Sequence, residues 1–256
     1  DVGYATAVGE DAVSQSMIDF MDQEGIETSA VRRLPDRTVG LYMIHLQEGE
    51  RSFSYWRGQS AARSLADEPD WLSASLAGSD ILYFSGISMA ILAPKARDVL
   101  CEALAKARAA GALVAFDTNL RPKLWESEAE MKAGLMQGAS VADIVLPSFD
   151  EDGALFGDAS PQGSIERYRK AGAKCVVVKN GSANVTGWSF EAGEVEVAPR
   201  LVSDVVDSTA AGDSFAAGFL ASTMCGDGFS DAIEAGMAVA GQVIQARGAL
   251  VPVIRI

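Results

Sequence analysis

Apolar positions change period repeatedly along the chain, and those changes mark out its elements. Between residues 12 and 24, Met17, Ile18, Phe20 and Met21 recur at helical spacing and Gly25 follows as a stop, which predicts an amphipathic helix. The period then falls to two. Residues 39–46 and 51–57 read as two strands of a hairpin joined around Glu48-Gly49-Glu50. A short helix over 71–76 and a buried strand over 81–84, ending at Gly86, come next. From there helices and strands alternate. Helix 94–110 lies between Pro94 and Gly111, strand 113–116 ends in Asp117, and helix 126–137 precedes strand 144–146. Helix 149–156 is stopped by Gly157, helix 165–171 leads to strand 175–179, and further strands fall within 188–197. Two helices, 212–224 and 229–246, close the chain.

Short apolar strands separated by amphipathic helices imply an α/β fold, a doubly wound and mostly parallel sheet with helices on both faces. The early hairpin does not share that rhythm. It predicts a small β-sheet flap over residues 27–60, set against an α/β domain formed by 1–26 and 61–256. In open α/β sheets a ligand lies outside the carboxyl ends of the strands, so chemistry is expected there.

Composition narrows the field. The 256 residues are 48% hydrophobic and 22% charged, a mixture that folds around a core rather than staying disordered. Acidic residues outnumber basic ones 35 to 21, a net charge of −14, which argues against nucleic acid or an anionic membrane as a partner. No apolar run approaches the roughly 18 residues of a membrane span, and no leader pattern opens the chain. Cys101, Cys175 and Cys225 are far apart and follow no metal-ligand spacing, which fits a reducing cytoplasm. His45 is the only histidine and sits in a strand pattern, so no His-based metal site is expected. Asp150, Glu151 and Asp152 read mostly as a solvated helix start.

The strongest chemical signal is Asp207-Ser208-Thr209-Ala210-Ala211-Gly212-Asp213, small residues running directly into a helix. Small side chains let a ligand approach the backbone. The first N–H groups of a helix have no internal partner, and such a site suits phosphate. Taken alone, the pattern also fits two capping aspartates with small residues for close packing. No GxxxxGK[ST] and no GxGxxG opening a helix occurs, so neither a P-loop nor a nicotinamide fingerprint is present.

The segment resembles the D-T-x-G-A-G-D signature of the ribokinase (phosphofructokinase-B) family of sugar kinases. The resemblance implies that Asp213 is the catalytic base and that Ala210, Ala211 and Gly212 form an anion hole for the transferred phosphate. Ala210 departs from the family's Gly. Other stretches are similar to the same family: Val8-Gly9-Glu10-Asp11, Lys179-Asn180-Gly181 near the nucleotide, and Gly248-Ala249 after the last helix. Pro147-Ser148-Phe149-Asp150-Glu151 is similar to P-N-x-x-E, with Ser148 in place of Asn. This implies ATP contacts at Ser148, Lys179 and Gly181, and an indirect role for Glu151 in organising Mg2+. A base at a helix start should have its pKa depressed.

Two segments bear on the acceptor. Phe53, Tyr55 and Arg57 share one strand face, and Tyr42 lies on the partner strand. Arg121 follows a core strand in Asp117-Thr118-Asn119-Leu120-Arg121. Residues 50–57 and the Asp117-x-Asn119-x-Arg121-Pro122 run resemble the 2-keto-3-deoxygluconate kinase branch of the family. The resemblance implies that Tyr42, Tyr55, Arg57 and Arg121 hold an acid sugar, the two guanidinium groups being suited to a carboxylate. The expected activity is ATP-dependent phosphorylation of a sugar acid. The rivals are a fructokinase or ribokinase-like kinase of a neutral sugar, and a non-catalytic sugar-binding protein on the same fold. An exposed flap sheet offers a surface for a homo-oligomer. The family's opening strand and Gly-Gly sugar-binding segment are not read before Val8, so an N-terminal piece of a few tens of residues is expected to be missing.

Overall fold

The computed structural model describes residues 1–47 and 50–253. In chain order the elements are β1 (Val2–Gly3), β2 (Thr6–Val8), α1 (Ala12–Gln23), β3 (Ile26–Glu27), β4 (Val31–Arg33), β5 (Leu41–Gln47), β6 (Glu50–Trp56), α2 (Pro69–Leu76), β7 (Ile81–Ser85), α3 (Gly86–Ile91) and α4 (Pro94–Ala109). They continue as β8 (Leu113–Asp117), α5 (Glu128–Ser140), β9 (Ile144–Val145), α6 (Phe149–Phe156), α7 (Pro161–Ala171), β10 (Cys175–Val178), β11 (Val185–Ser189), β12 (Gly193–Val197), α8 (Ala211–Cys225) and α9 (Phe229–Val243). Two compact units emerge. One comprises Asp1–Asp80 and Ala90–Ala112, the other Ile81–Met89 and the chain from Leu113 onward.

In the first unit, β1 pairs in parallel with β3, and β2 with β4. Two short strands thus lie within the first eight residues, where the sequence pattern shows none, because alternation cannot be read over two or three residues. The residues of β4, inside the range expected to be flap, therefore pair with β2 rather than with the hairpin. The hairpin itself is β5 and β6, antiparallel, with Tyr42 opposite Tyr55. The turn residues Glu48 and Gly49, and the side chains of His45 and Phe53, lie outside the described residues. Helix α1 begins at Asp11, whose carboxylate accepts N–H bonds from Val13 and Ser14 and a hydroxyl bond from Ser14. Those bonds hold its pKa well below the ordinary carboxylate value.

The second unit is built on a six-stranded sheet in the order β12-β11-β10-β9-β8-β7. Strands β7 to β10 are parallel, while β11 and β12 return as an antiparallel hairpin. Strands β8, β9 and β10 are buried on both faces, as a sheet covered by helices on each side requires, while the edge strand β7 exposes Tyr83. Ala115, Ile144 and Val177 pack with Phe215, Phe219 and Ile233 of α8 and α9. On the other face the Phe116 ring lies against Gly138 of α5, and Tyr168 of α7 is fully buried. Helix α5 starts at a capping Ser127 that accepts the N–H of Glu130, an S-x-x-E pattern. The periodicity did not predict α3, a six-residue helix that begins directly at Gly86.

Candidate active site

Strands β8, β9 and β10 deliver their carboxyl ends side by side. Helix α8 starts in the same unit. Its cap residue, Ala210, adopts the left-handed conformation at φ 61°, and no side chain caps the helix. The first intrahelical bond runs from the Ser214 N–H to the Ala210 carbonyl at 2.8 Å. The N–H groups of Gly212 and Asp213 precede it, so they belong to the turn that a helix leaves without partners. Asp207 does not cap α8. It is buried, and its carboxylate accepts from the Thr209 N–H (3.0 Å), the Thr209 hydroxyl (2.7 Å) and the Gly248 N–H (2.9 Å). It therefore pins the small-residue loop to the segment after α9.

Lys179 reaches this helix start from the end of β10. Its ammonium lies 3.5 Å from where a Gly212 side chain would begin. The same ammonium is 2.8 Å from the Asp117 carboxylate; Asp117 is buried and Lys179 largely so. Asp117 ends β8 and also accepts the Asn119 N–H at 3.0 Å. Ser148 opens α6 and forms a parallel bridge with Lys179, whose carbonyl accepts the Phe149 N–H at 2.8 Å. Gly181 follows in a turn at φ 55°.

Asp213 is exposed to solvent but stands close to the Asp117, Lys179 and Arg121 charges. The expectation of a depressed pKa is corrected. Crowding comes first and the Asp117 charge second, and both raise it above 3.8, while Lys179 and Arg121 pull it down only in part. The Tyr83 phenol, pushed well above its ordinary value by crowding, feels both the Asp117 and Asp213 charges. Arg121 and Glu151 face each other at 3.7 Å, both half-exposed. Burial raises the Glu151 pKa and the Arg121 charge opposes that shift.

The sequence reading of Asp152 as part of a solvated helix start is overturned. Asp152 is fully buried, accepting the Tyr168 hydroxyl on one oxygen and the Thr118 hydroxyl on the other at 2.8 Å. An i, i+1 step around α6 turns Glu151 toward Arg121 and Asp152 into the interior. Asp117, Tyr83, Thr118 and Asp152 were not singled out from sequence as site residues. Only Asp117 carried a signal, its place at the end of a core strand in the D-x-N-x-R run.

The second unit thus gathers Asp213, Ala210, Ala211, Gly212, Lys179, Ser148, Arg121 and Glu151 around adjoining strand ends. Tyr42, Tyr55 and Arg57 belong to the first unit. There the Tyr42 and Tyr55 rings are 6.3 Å apart and the Arg57 guanidinium lies 4.3 Å over the Tyr55 ring. Among the described residues no three His, Cys, Asp or Glu side chains cluster as a metal cage, and no helix is long and apolar enough to cross a membrane.

The family model of the pfkB family carbohydrate kinases matches residues 1–255. The chain belongs to the pfkB family of carbohydrate kinases. This kinase is 41% identical to a 2-dehydro-3-deoxygluconokinase of Escherichia coli over 98% of its own length and 83% of that protein's. Among solved structures, a PfkB protein from Polaromonas sp. superposes with a TM-score of 0.83 at 31% identity, covering 96% of this chain and 80% of that one. A fructokinase from Xylella fastidiosa with bound ATP superposes at 0.83 and 26% identity, covering 97% and 80%. The kinase fold is ribokinase-like, as the signature at 207–213 implied.

Proposed function

We propose that the kinase transfers the γ-phosphoryl group of ATP to the terminal hydroxyl of 2-dehydro-3-deoxygluconate, also called 2-keto-3-deoxygluconate. The observation that carries the phosphotransfer is the uncapped helix start at Ala210–Asp213 with the Lys179 ammonium beside Gly212. As the new O–P bond forms and the bond to the ADP oxygen breaks, Asp213 takes the hydroxyl proton. The N–H groups of the hole stabilise charge on the moving phosphoryl. A raised Asp213 pKa suits a base better than a depressed one. Ser148, Lys179 and Gly181 are the proposed nucleotide contacts.

Magnesium usually binds kinases through phosphates and waters with only one or two carboxylates. Glu151 is the proposed residue that orients its water shell, and the ion would supply charge neutralisation on the phosphates. The acid-sugar reading rests on the 41% identical relative, named as a kinase of that acid, and on Arg121, half-exposed just beyond the carboxyl end of β8. Tyr42, Tyr55 and Arg57 are the proposed acceptor contacts on the hairpin.

The test is an assay with ATP and magnesium across 2-keto-3-deoxygluconate, fructose and ribose, with the parent and Arg121→Ala. A charged hydrogen bond lost from the acceptor carboxylate should raise KM for the acid by about tenfold or more. Equal turnover of fructose or ribose would favour a neutral-sugar kinase. Binding without phosphotransfer would make the chain a sugar-binding protein.

A further inference from the structure

We propose that the Thr118–Asp152 hydrogen bond is a positioning device that sets Arg121 for the acceptor carboxylate. The proposal rests on the reading of Arg121 as an acceptor contact. Thr118 lies between Asp117, the end of β8, and Arg121, which carries the guanidinium. It is fully buried, and it is gripped from two sides. Its hydroxyl donates to Asp152 at 2.8 Å. Its carbonyl lies 2.0 Å from where a Gly86 side chain would begin, so only glycine lets that backbone approach so closely.

Asp152 is itself held rigidly. The Tyr168 hydroxyl donates to its other oxygen, and the Arg167 guanidinium is 3.5 Å from that same oxygen. Arg167 is fixed by Asp158 at 2.5 Å and by the rings of Phe156 and Tyr168, 3.8 and 4.3 Å away. A buried carboxylate of this kind is a weak source of stability, because well-packed apolar side chains of similar volume often serve as well. Among the described residues, its hydrogen bond to the strand-end segment is the one from Thr118.

Asp117 does not depend on that contact, since it is ladder-paired with Ser85 and bonded to Lys179. Beyond it the chain leaves the sheet, and Asn119 takes a left-handed φ of 31° with its buried side-chain amide oxygen Oδ1 unpaired. Among the described residues the Asn119 N–H bonds only back to Asp117 and the Arg121 carbonyl only forward to the Leu124 N–H, so the Thr118 hydroxyl is the bond that ties this segment to α6 from its backbone side. The adjacent α6 residue, Glu151, faces the Arg121 side chain. Consecutive carboxylates of one helix turn thus address the backbone and the side chain of the same segment.

The test is steady-state kinetics on Thr118→Val, with Thr118→Ser as rescue and Thr118→Ala as a second variant if the valine protein does not fold. Loss of the hydroxyl should raise KM for the acid sugar by about tenfold, with kcat and KM for ATP moving less than about twofold. Serine should restore KM. In combination with Arg121→Ala, Thr118→Val should add nothing further. A proportionate fall in all parameters, an unchanged acid-sugar KM, or additivity with Arg121→Ala would overturn the proposal. If Arg121→Ala itself leaves that KM unchanged, the acceptor reading has failed rather than the tether alone.

Discussion

Lys179 and Asp117 form a largely buried ion pair, Nζ to Oδ2 2.8 Å, between the carboxyl ends of β10 and β8 in the central sheet. Only β9 separates β8 from β10 in the sheet, so the pair spans a strand position at the carboxyl edge. It leaves the ammonium beside Gly212 and stops Asp117 from standing as an unbalanced charge near Asp213.

Lys179→Met should cost about 3–5 kcal/mol by stranding the buried Asp117 charge, with KM for ATP raised as well. Adding Asp117→Asn should recover much of the stability but not the ATP affinity. Urea unfolding and nucleotide kinetics on the single and double variants check this. A double variant no more stable than Lys179→Met would refute it.

Asp213→Asn should lower kcat by about 10²- to 10⁴-fold while the acid sugar still binds. The stability effect has the opposite sign. A carboxylate whose folded pKa lies above its ordinary 3.8 penalises the folded state wherever it is charged, and the penalty vanishes once the pH falls below 3.8. The asparagine variant should therefore melt above the parent at pH 7, and the gap should close on acidification. For the same reason the acid limb of the parent's kcat/KM should lie above the ordinary carboxylate value.

Ala210→Gly should stabilise the protein by up to about 1 kcal/mol. The left-handed conformation costs a residue with a Cβ about 1–2 kcal/mol, offset in part by glycine's greater loss of backbone freedom. Ala210→Val should go the other way and slow turnover, because a branched side chain at this φ distorts the helix start. Thermal melts with kcat on both variants decide the point. A stabilising valine would show that the left-handed cap carries no strain.

Asp207→Ala should lower stability by about 1–3 kcal/mol, since it strips acceptors from the Thr209 and Gly248 N–H groups. It should also slow turnover with Asp213 intact, because the hole loop loses its tie to the chain after α9. A variant with parental kcat would mean that the loop holds its shape without Asp207.

Much of the fold was legible. The change from period two to helical spacing located α1, the hairpin, α4 and the later strands to within a few residues. Elements of two or three residues, such as β1 and β2, hold too few positions to display a period. Helix α3 was hidden because it starts on the glycine that looked like the end of a strand. The chemistry divides in the same way. Asp213 and the small-residue hole were readable because they sit in one continuous stretch. Asp152 was not, because its burial depends on Thr118 and Tyr168, 34 and 16 residues away.

By itself the sequence determined the alternation of strands and helices, the small-residue helix start and the type of chemistry it suits. Those properties depend on neighbours three or four positions apart and survive as local pattern. Tertiary structure alone decided which carboxylates are charged, buried or shared. It turned the expected drop in the Asp213 pKa into a rise, set Lys179 between Asp117 and Gly212, and drew Asp152 under the segment bearing Arg121. Desolvation and Coulomb energy depend on what surrounds a group in space, and folding brings those surroundings from distant parts of the chain.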